Sequence, residues 1–164
     1  MWRGNYRCAV TRAPFQVLVL LFRRAGGYQF AVLCRSDDGC WQGVAGGGDD
    51  DETPVQAACR EVAEETGVSP TAPLYLLKTM DYVPARTFSA RLDWPADTYV
   101  IPQHFFACDA TGAETRLSDE HSELRWLPAD EADAILRYDD NRTALWELSQ
   151  RLERDDLPRR CSDT

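Results

Sequence analysis

Between Gly46 and Val68 the chain sets three consecutive glycines, the start and stop signals of a helix, and a crowd of carboxylates. Thr53 precedes Pro54, and Gln56 follows Thr53 by three positions. That spacing predicts a helix opened by a capping box with proline in its first turn. Gly67 suits the left-handed residue that closes it. At about 100° per residue, Val55, Cys59, Val62 and Thr66 form one stripe, with Ala58 beside it. Glu61, Glu64 and Glu65 fall within an arc of roughly 100° on another side. The helix must dock its apolar stripe on a core and leave the carboxylates on an adjoining, partly open face. Glu61 and Glu65 are like charges one turn apart, which costs a bare helix roughly a few tenths of a kcal/mol. A hard divalent cation, with its preference for oxygen ligands, would relieve that repulsion. The three glycines before a helix start also make a cradle for phosphate, because backbone N–H groups can approach an anion there.

The rest of the chain supplies the core. Phe15–Phe22 is an apolar, β-branched run and reads as a buried strand. Gly26 and Gly27 make a turn, and Tyr28–Arg35 follows as a second strand, so the two form a hairpin. Ser36–Gly39 is a polar loop, and Trp41–Ala45 a short extended piece leading into the glycine turn. Further strands are predicted at Leu74–Val83, Tyr99–Cys108 and Ser122–Leu127. Pro84–Thr98 has no clear periodicity and reads as a long loop. Pro128 opens a helix to about Arg137, and Asn141–Arg154 forms a last one with Leu145, Leu148 and Leu152 at core spacing. A hairpin combined with strands reached across helices gives a mixed sheet with helices on both faces, α/β or α+β from pattern alone. The chain reads as one domain over residues 1–157, and the charged end, with 158–164 as its tail, frays.

Composition narrows the partners. The formal net charge of −9 argues against a nucleic-acid polymer or an anionic membrane, both of which need a basic footprint. A small polyphosphate remains compatible if metal ions carry the neutralising charge. The first residues, Met1 to Arg7, lack the apolar stretch of a signal peptide. Cys8, Cys34, Cys40, Cys59, Cys108 and Cys161 are scattered without metal-type spacing, which points to a reducing, cytoplasmic compartment. Cys34 and Cys59 lie in patterns that predict burial.

Gly46, five residues, Glu52, seven residues, then Arg60-Glu61-Val62-Ala63-Glu64-Glu65-Thr66-Gly67-Val68 resembles the box of the Nudix hydrolases, with every fixed and apolar position filled. Chance would produce this on the order of once per billion start points, which sets aside a merely solvated acidic helix. Trp41–Gly46, Glu52–Ala58, Ser118–Pro128 and Tyr138–Arg142 are further similar to the dihydroneopterin triphosphate (dATP-type) pyrophosphohydrolases of that family. The resemblance sharpens the fold to a mixed-sheet α/β/α sandwich.

It also implies a site. Glu61, Glu64 and Glu65 become metal ligands, with the carbonyl of Ala45 as a backbone ligand and Glu120 as either a further ligand or the general base. Mg²⁺ is the implied cofactor, with Mn²⁺ as the alternative. Glu52 and Arg60 hold each other and orient the turn and helix. The metals would screen the phosphate oxygens, and Glu61 or Glu120 would take a proton from the attacking water. Gly46 and Gly47 would meet the phosphates. Trp41 is either a base-stacking residue or a core residue; Tyr138, Asn141 and Arg142 either contact the base or pterin or serve the helix start. One of Phe105 and Phe106 is core and the other a pocket candidate. His104 and His121 lack metal-type or triad spacing and read as non-catalytic. Where the family often has glycine before the first box Glu, this chain has Asp51, which would place a non-glycine residue in a left-handed turn.

The implied reaction cleaves a nucleoside-triphosphate-like molecule to a monophosphate and pyrophosphate, in a monomer or homodimer. Two alternatives keep the fold: hydrolysis of dinucleoside polyphosphates or nucleotide sugars, and a non-catalytic nucleotide-sensing domain. The intact box argues against the last.

Overall fold

An unbroken apolar strand needs cover on both sides, because successive side chains point to opposite faces of the sheet. The computed structural model, which describes residues 11–162, has that arrangement. Strand β1 (Arg12–Arg24) sends Val17, Val19 and Leu21 into one core and Leu18, Leu20 and Phe22 into the other. Helix α1 (Pro54–Thr66) covers the first face through Ala57, Ala58 and Val62. Helices α2 (Ala129–Ile135) and α3 (Asp139–Arg154) cover the second through Ala132, Ala144, Leu145 and Leu148. The architecture is the α/β/α sandwich.

The sheet has seven strands. After β1 come β2 (Tyr28–Arg35), β3 (Trp41–Gln42), β4 (Val44–Asp49), β5 (Leu74–Pro84), β6 (Val100–Asp109) and β7 (His121–Leu127). Their order is β3-β2-β1-β6-β5, with β4 also paired to β1 and β7 to β2. The pairing of β1 with β6 is parallel and that of β1 with β2 antiparallel, so the sheet is mixed. Its register sets Gly47 opposite Gln16, Gln16 beside Gln103, and Gln103 opposite Asp81. Those residues form one row across β4, β1, β6 and β5.

Helix α1 begins and ends where its caps require. The Thr53 hydroxyl accepts the Gln56 N–H at 3.3 Å, and the Gln56 side chain accepts the Thr53 N–H at 2.9 Å. Gly67 closes the helix at φ 69°. The glycines, however, do not form a turn against the helix start. Gly46, Gly47 and Gly48 lie in strand β4, and the left-handed residue of the connection is Asp50 at φ 43°, not Asp51. Asp50 exchanges hydrogen bonds with Thr11: its N–H donates to the Thr11 carbonyl at 2.6 Å, and its side chain accepts the Thr11 N–H at 2.8 Å. Those bonds hold a conformation that a non-glycine residue adopts at some cost.

Other expectations change with the tertiary context. Phe105 and Phe106 are both fully buried, one in each core, because β6 is central and covered on both faces. The segment Pro84–Thr98 contains two short 3₁₀ turns, Ala85–Thr87 and Ser89–Asp93, and a small core of its own formed by Ala85, Trp94 and Ile101. Cys34 and Cys59 are only half-buried. The buried thiol is Cys108, pushed up to about 12 by burial. The tail does not simply fray: the Cys161 N–H donates to the Leu74 carbonyl at 2.7 Å, and Arg160 bridges to Tyr75 on the edge strand. Cys34, Cys40, Cys108 and Cys161 are free thiols, while Cys8 and the expectation for the first residues lie outside the described part.

Candidate active site

The site begins with an arginine that ties a strand to a helix. Arg60 Nε and Nη2 each donate to the Glu52 carboxylate at 2.9 Å, and Nη2 also donates to the Gly47 carbonyl at 2.8 Å. The Asp49 N–H donates to Glu52 at 2.9 Å. This bidentate pair joins β4, the connection and α1. Arg60 holds the Glu52 carboxyl below its ordinary range. The remaining guanidinium nitrogen donates to Glu61 at 2.9 Å and Glu64 at 3.1 Å.

The three helix carboxylates differ sharply in environment. The Glu64 side chain is 60% exposed, that of Glu61 14%, and that of Glu65 4%. The expected partly open face is therefore open only at Glu64. Burial raises Glu61, against the opposing pull of Arg60. Burial, then the charges of Glu61 and Glu120, push Glu65 up to about 8. Its Oε2 has no hydrogen-bond partner, and neither ring nitrogen of the adjacent His121 has one. His121 Nε2 lies 3.6 Å from that oxygen, too far for a hydrogen bond. Burial lowers His121, so the imidazole is neutral and the contact is not an ion pair at neutral pH.

A buried carboxyl oxygen without a partner is costly, and a cation would remove the cost. The donors expected beside it, Glu61, Glu64, Glu120 and the Ala45 carbonyl, are oxygens, with His121 a nitrogen neighbour, and an oxygen-rich set suits Mg²⁺ or Mn²⁺ over softer metals. Among the described residues no three such side chains already converge on one point, since Arg60 spans Glu61 and Glu64. The residues fit a hard divalent ion provided that these two carboxylates turn from Arg60 toward it.

A cavity of about 830 Å³ opens over this end of the sheet. Ala45, Gly46, Gly47, Glu61, Glu64, Glu120, Tyr138 and Asn141 line it, while Glu52, Arg60 and Glu65 do not. The glycines matter through what they leave out: a Cβ on Gly46 would lie 2.0 Å from the Glu61 carboxyl, and one on Gly47 2.4 Å from Arg12 Cζ. Trp41 and Arg142 do not line the cavity. Trp41 packs on the second core beneath Arg125, whose Cζ lies 4.6 Å from its ring, and the next residue, Gln42, lines the cavity instead. Arg142 donates to the Leu136 carbonyl at 2.8 Å and to Asp139 at 2.8 Å, joining the end of α2 to the start of α3.

The far end of the cavity is a satisfied polar net. Gln103 donates to Asp140 at 2.6 Å, Asn141 donates to Asp140 at 2.9 Å, and the buried Asn141 accepts the Gly43 N–H at 3.0 Å. Sequence reasoning passed over Arg12, Gln16, Gln42, Gln103 and Asp140. Gln42 and Gln103 carried a weak signal, as lone amides in strands. Asp140 reads as an ordinary helix-start acid, and Arg12 gave no signal.

The NUDIX domain family model matches residues 3–150. Dihydroneopterin triphosphate diphosphatase of Escherichia coli K12 is 29% identical over 138 residues, 83% of this chain and 92% of its own. RNA pyrophosphohydrolase of Roseobacter denitrificans is 30% identical over 138 residues, 73% of this chain and 81% of its own. Among solved structures, a NUDIX hydrolase from Listeria monocytogenes superposes with a TM-score of 0.81 at 41% identity, covering 90% of this chain and 99% of that one.

Proposed function

The chain belongs to the Nudix hydrolase family, enzymes of phosphoanhydride bonds, and from that premise we propose that it cleaves a nucleoside-triphosphate-like small molecule, of the dATP or dihydroneopterin triphosphate type, to a monophosphate and pyrophosphate. The observation that carries the reading is Glu65: a buried carboxyl with one oxygen unpartnered, close to a large cavity that Glu61, Glu64 and Glu120 line. In this reading Glu61, Glu64, Glu65, Glu120 and the Ala45 carbonyl hold Mg²⁺, or Mn²⁺ in its place. The ion supplies positive charge that screens the phosphate oxygens and acidifies the attacking water.

The chain's own groups do the rest. Glu52 and Arg60 fix β4 against α1, so that the glutamates and the glycine strand keep one geometry. Water attacks the α-phosphorus, and its proton passes to Glu61 or Glu120, both on the cavity wall. The bond between that phosphorus and the α–β bridging oxygen breaks, and pyrophosphate leaves with the electron pair. Tyr138 and Asn141, both on the cavity wall, face the heterocycle, and Asn141 is held by its bonds to Asp140 and the Gly43 N–H. The free thiols of Cys34, Cys40, Cys108 and Cys161 support a reducing, cytoplasmic setting. Among the described residues no helix is long and apolar enough to cross a membrane.

The test is a substrate panel with Mg²⁺ or Mn²⁺: dATP, dihydroneopterin triphosphate, a dinucleoside tetraphosphate, a nucleotide sugar and a 5′-triphosphorylated RNA oligomer. Pyrophosphate release from the first two, well above the others, is expected. Orthophosphate release from them would refute the bond position, preference for another member would refute the substrate class, and no turnover of any member would refute catalysis.

A further inference from the structure

We propose that Arg12 grips the phosphates beyond the scissile bond and so positions the pyrophosphate leaving group. This rests on the reading that the cavity holds a polyphosphate. Arg12 and Arg35 are the cationic residues of the lining. Arg35 is already committed to Asp37 and Asp38. Arg12 makes no ion pair with any described residue, and its buried Nε has no hydrogen-bond partner. A buried guanidinium nitrogen left open is costly unless an anion completes it.

The guanidinium is held by shape. Its Cζ lies 5.1 Å from the Phe88 ring centroid on one side. On another it passes so close to Gly47 that a Cβ there would sit 2.4 Å from Cζ. The Trp94 indole N–H donates to the Arg12 carbonyl at 2.6 Å and fixes the backbone. Stacking leaves the edge nitrogens of a planar fork free for phosphate oxygens.

The sheet register says which phosphates. Along the row Gly47–Gln16–Gln103–Asp81, Arg12 stands at the Gly47 end, next to Gly46 and its neighbour Glu61. The amide and carboxylate end, Gln103 with Asp140, is two strands away, about 10 Å. An acidic, amide-rich end accommodates the N–H groups of a heterocycle and repels phosphate. The polyphosphate therefore runs toward β4, and its distal phosphates reach Arg12.

The experiment is calorimetric binding of inorganic pyrophosphate, and separately of dAMP, to wild-type protein, Arg12→Gln and Arg12→Lys in Mg²⁺, with thermal melts as a folding control. Loss of a charge-assisted contact predicts pyrophosphate binding weakened on the order of 10-fold to 100-fold in Arg12→Gln, less in Arg12→Lys, with dAMP affinity within about two-fold. Unchanged pyrophosphate affinity, or equal loss for dAMP, overturns the assignment. So does a wild-type protein that binds no pyrophosphate. If no nucleotide is turned over yet pyrophosphate binds in an Arg12-dependent way, the proposed function falls and this assignment stands.

Discussion

At the α1 end of the cavity, Glu65 and His121 leave buried polar atoms without partners; at the α3 end, Asp140 and Asn141 are bonded to Gln103 and to the Gly43 backbone. Both ends are polar and both rest on the same sheet. The first holds a carboxyl that burial keeps protonated near neutral pH, and a bound cation would take the place of that proton. The second is complete before any ligand arrives, which suits a surface that selects by shape and hydrogen-bond pattern. On the proposed function, reactivity and selectivity would be housed at ends of different electrostatic condition.

The sharpest way to break that contrast is Glu65→Gln. Neutralising the buried carboxyl is expected to lower kcat by at least about a thousand-fold, or roughly 4 kcal/mol of barrier, while raising the melting temperature of metal-free protein at pH 8. Pyrophosphate release and thermal melts report the two halves, and full activity in this variant would dissolve the distinction between the ends.

Asn141→Ala tests the other end. It strands the buried Gly43 N–H and loosens Asp140, so about 2 kcal/mol of stability should be lost in denaturant unfolding. Here metal makes no difference to the loss, unlike at Glu65.

The smallest effect is in pH. The folded-state value of Glu65, about 8, lies above its unfolded value of 4.5, so the native state binds the extra proton between them. Stability of metal-free protein then falls as pH rises through that window and levels off above 8. Lowered His104 and His121 act in the opposite direction, but only as pH rises toward their ordinary 6.5. From pH 6.5 to 8 the net change should be a loss of about 1 kcal/mol, abolished by saturating Mg²⁺. A flat metal-free profile over that range would mean that Glu65 is not strained.

The α1 end was legible in the letters because its determinants are local. Thr53, Gln56 and Gly67 mark the helix, and the spacing of Glu61, Glu64 and Glu65 on it follows from its pitch. The hairpin of β1 and β2 was legible for the same reason, through Gly26–Gly27 and two apolar runs. What the letters did not carry was depth: which glutamate is buried depends on β7 bringing His121 to α1. The α3 end was legible only in part: Tyr138 and Asn141 stood out, but Gln16 meets Gln103 only through a parallel pairing of distant segments. Trp41 and Gln42 show how little separates the alternatives, because adjacent residues in a strand face opposite ways and only register decides which faces the cavity.

The row that crosses β4, β1, β6 and β5 has a consequence for variation. Its members come from four strands and from separated stretches of chain, so Gln16, Gln103 and Asp81, unlike the tightly packed Gly47, can each be exchanged without shifting the backbone that carries the others. A change at Gln103 or Asp81 would retune one margin of the floor while Gly47 and the carboxylates beside it stay put. Such a floor is modular by construction: its specificity can drift position by position under a chemistry that remains constant.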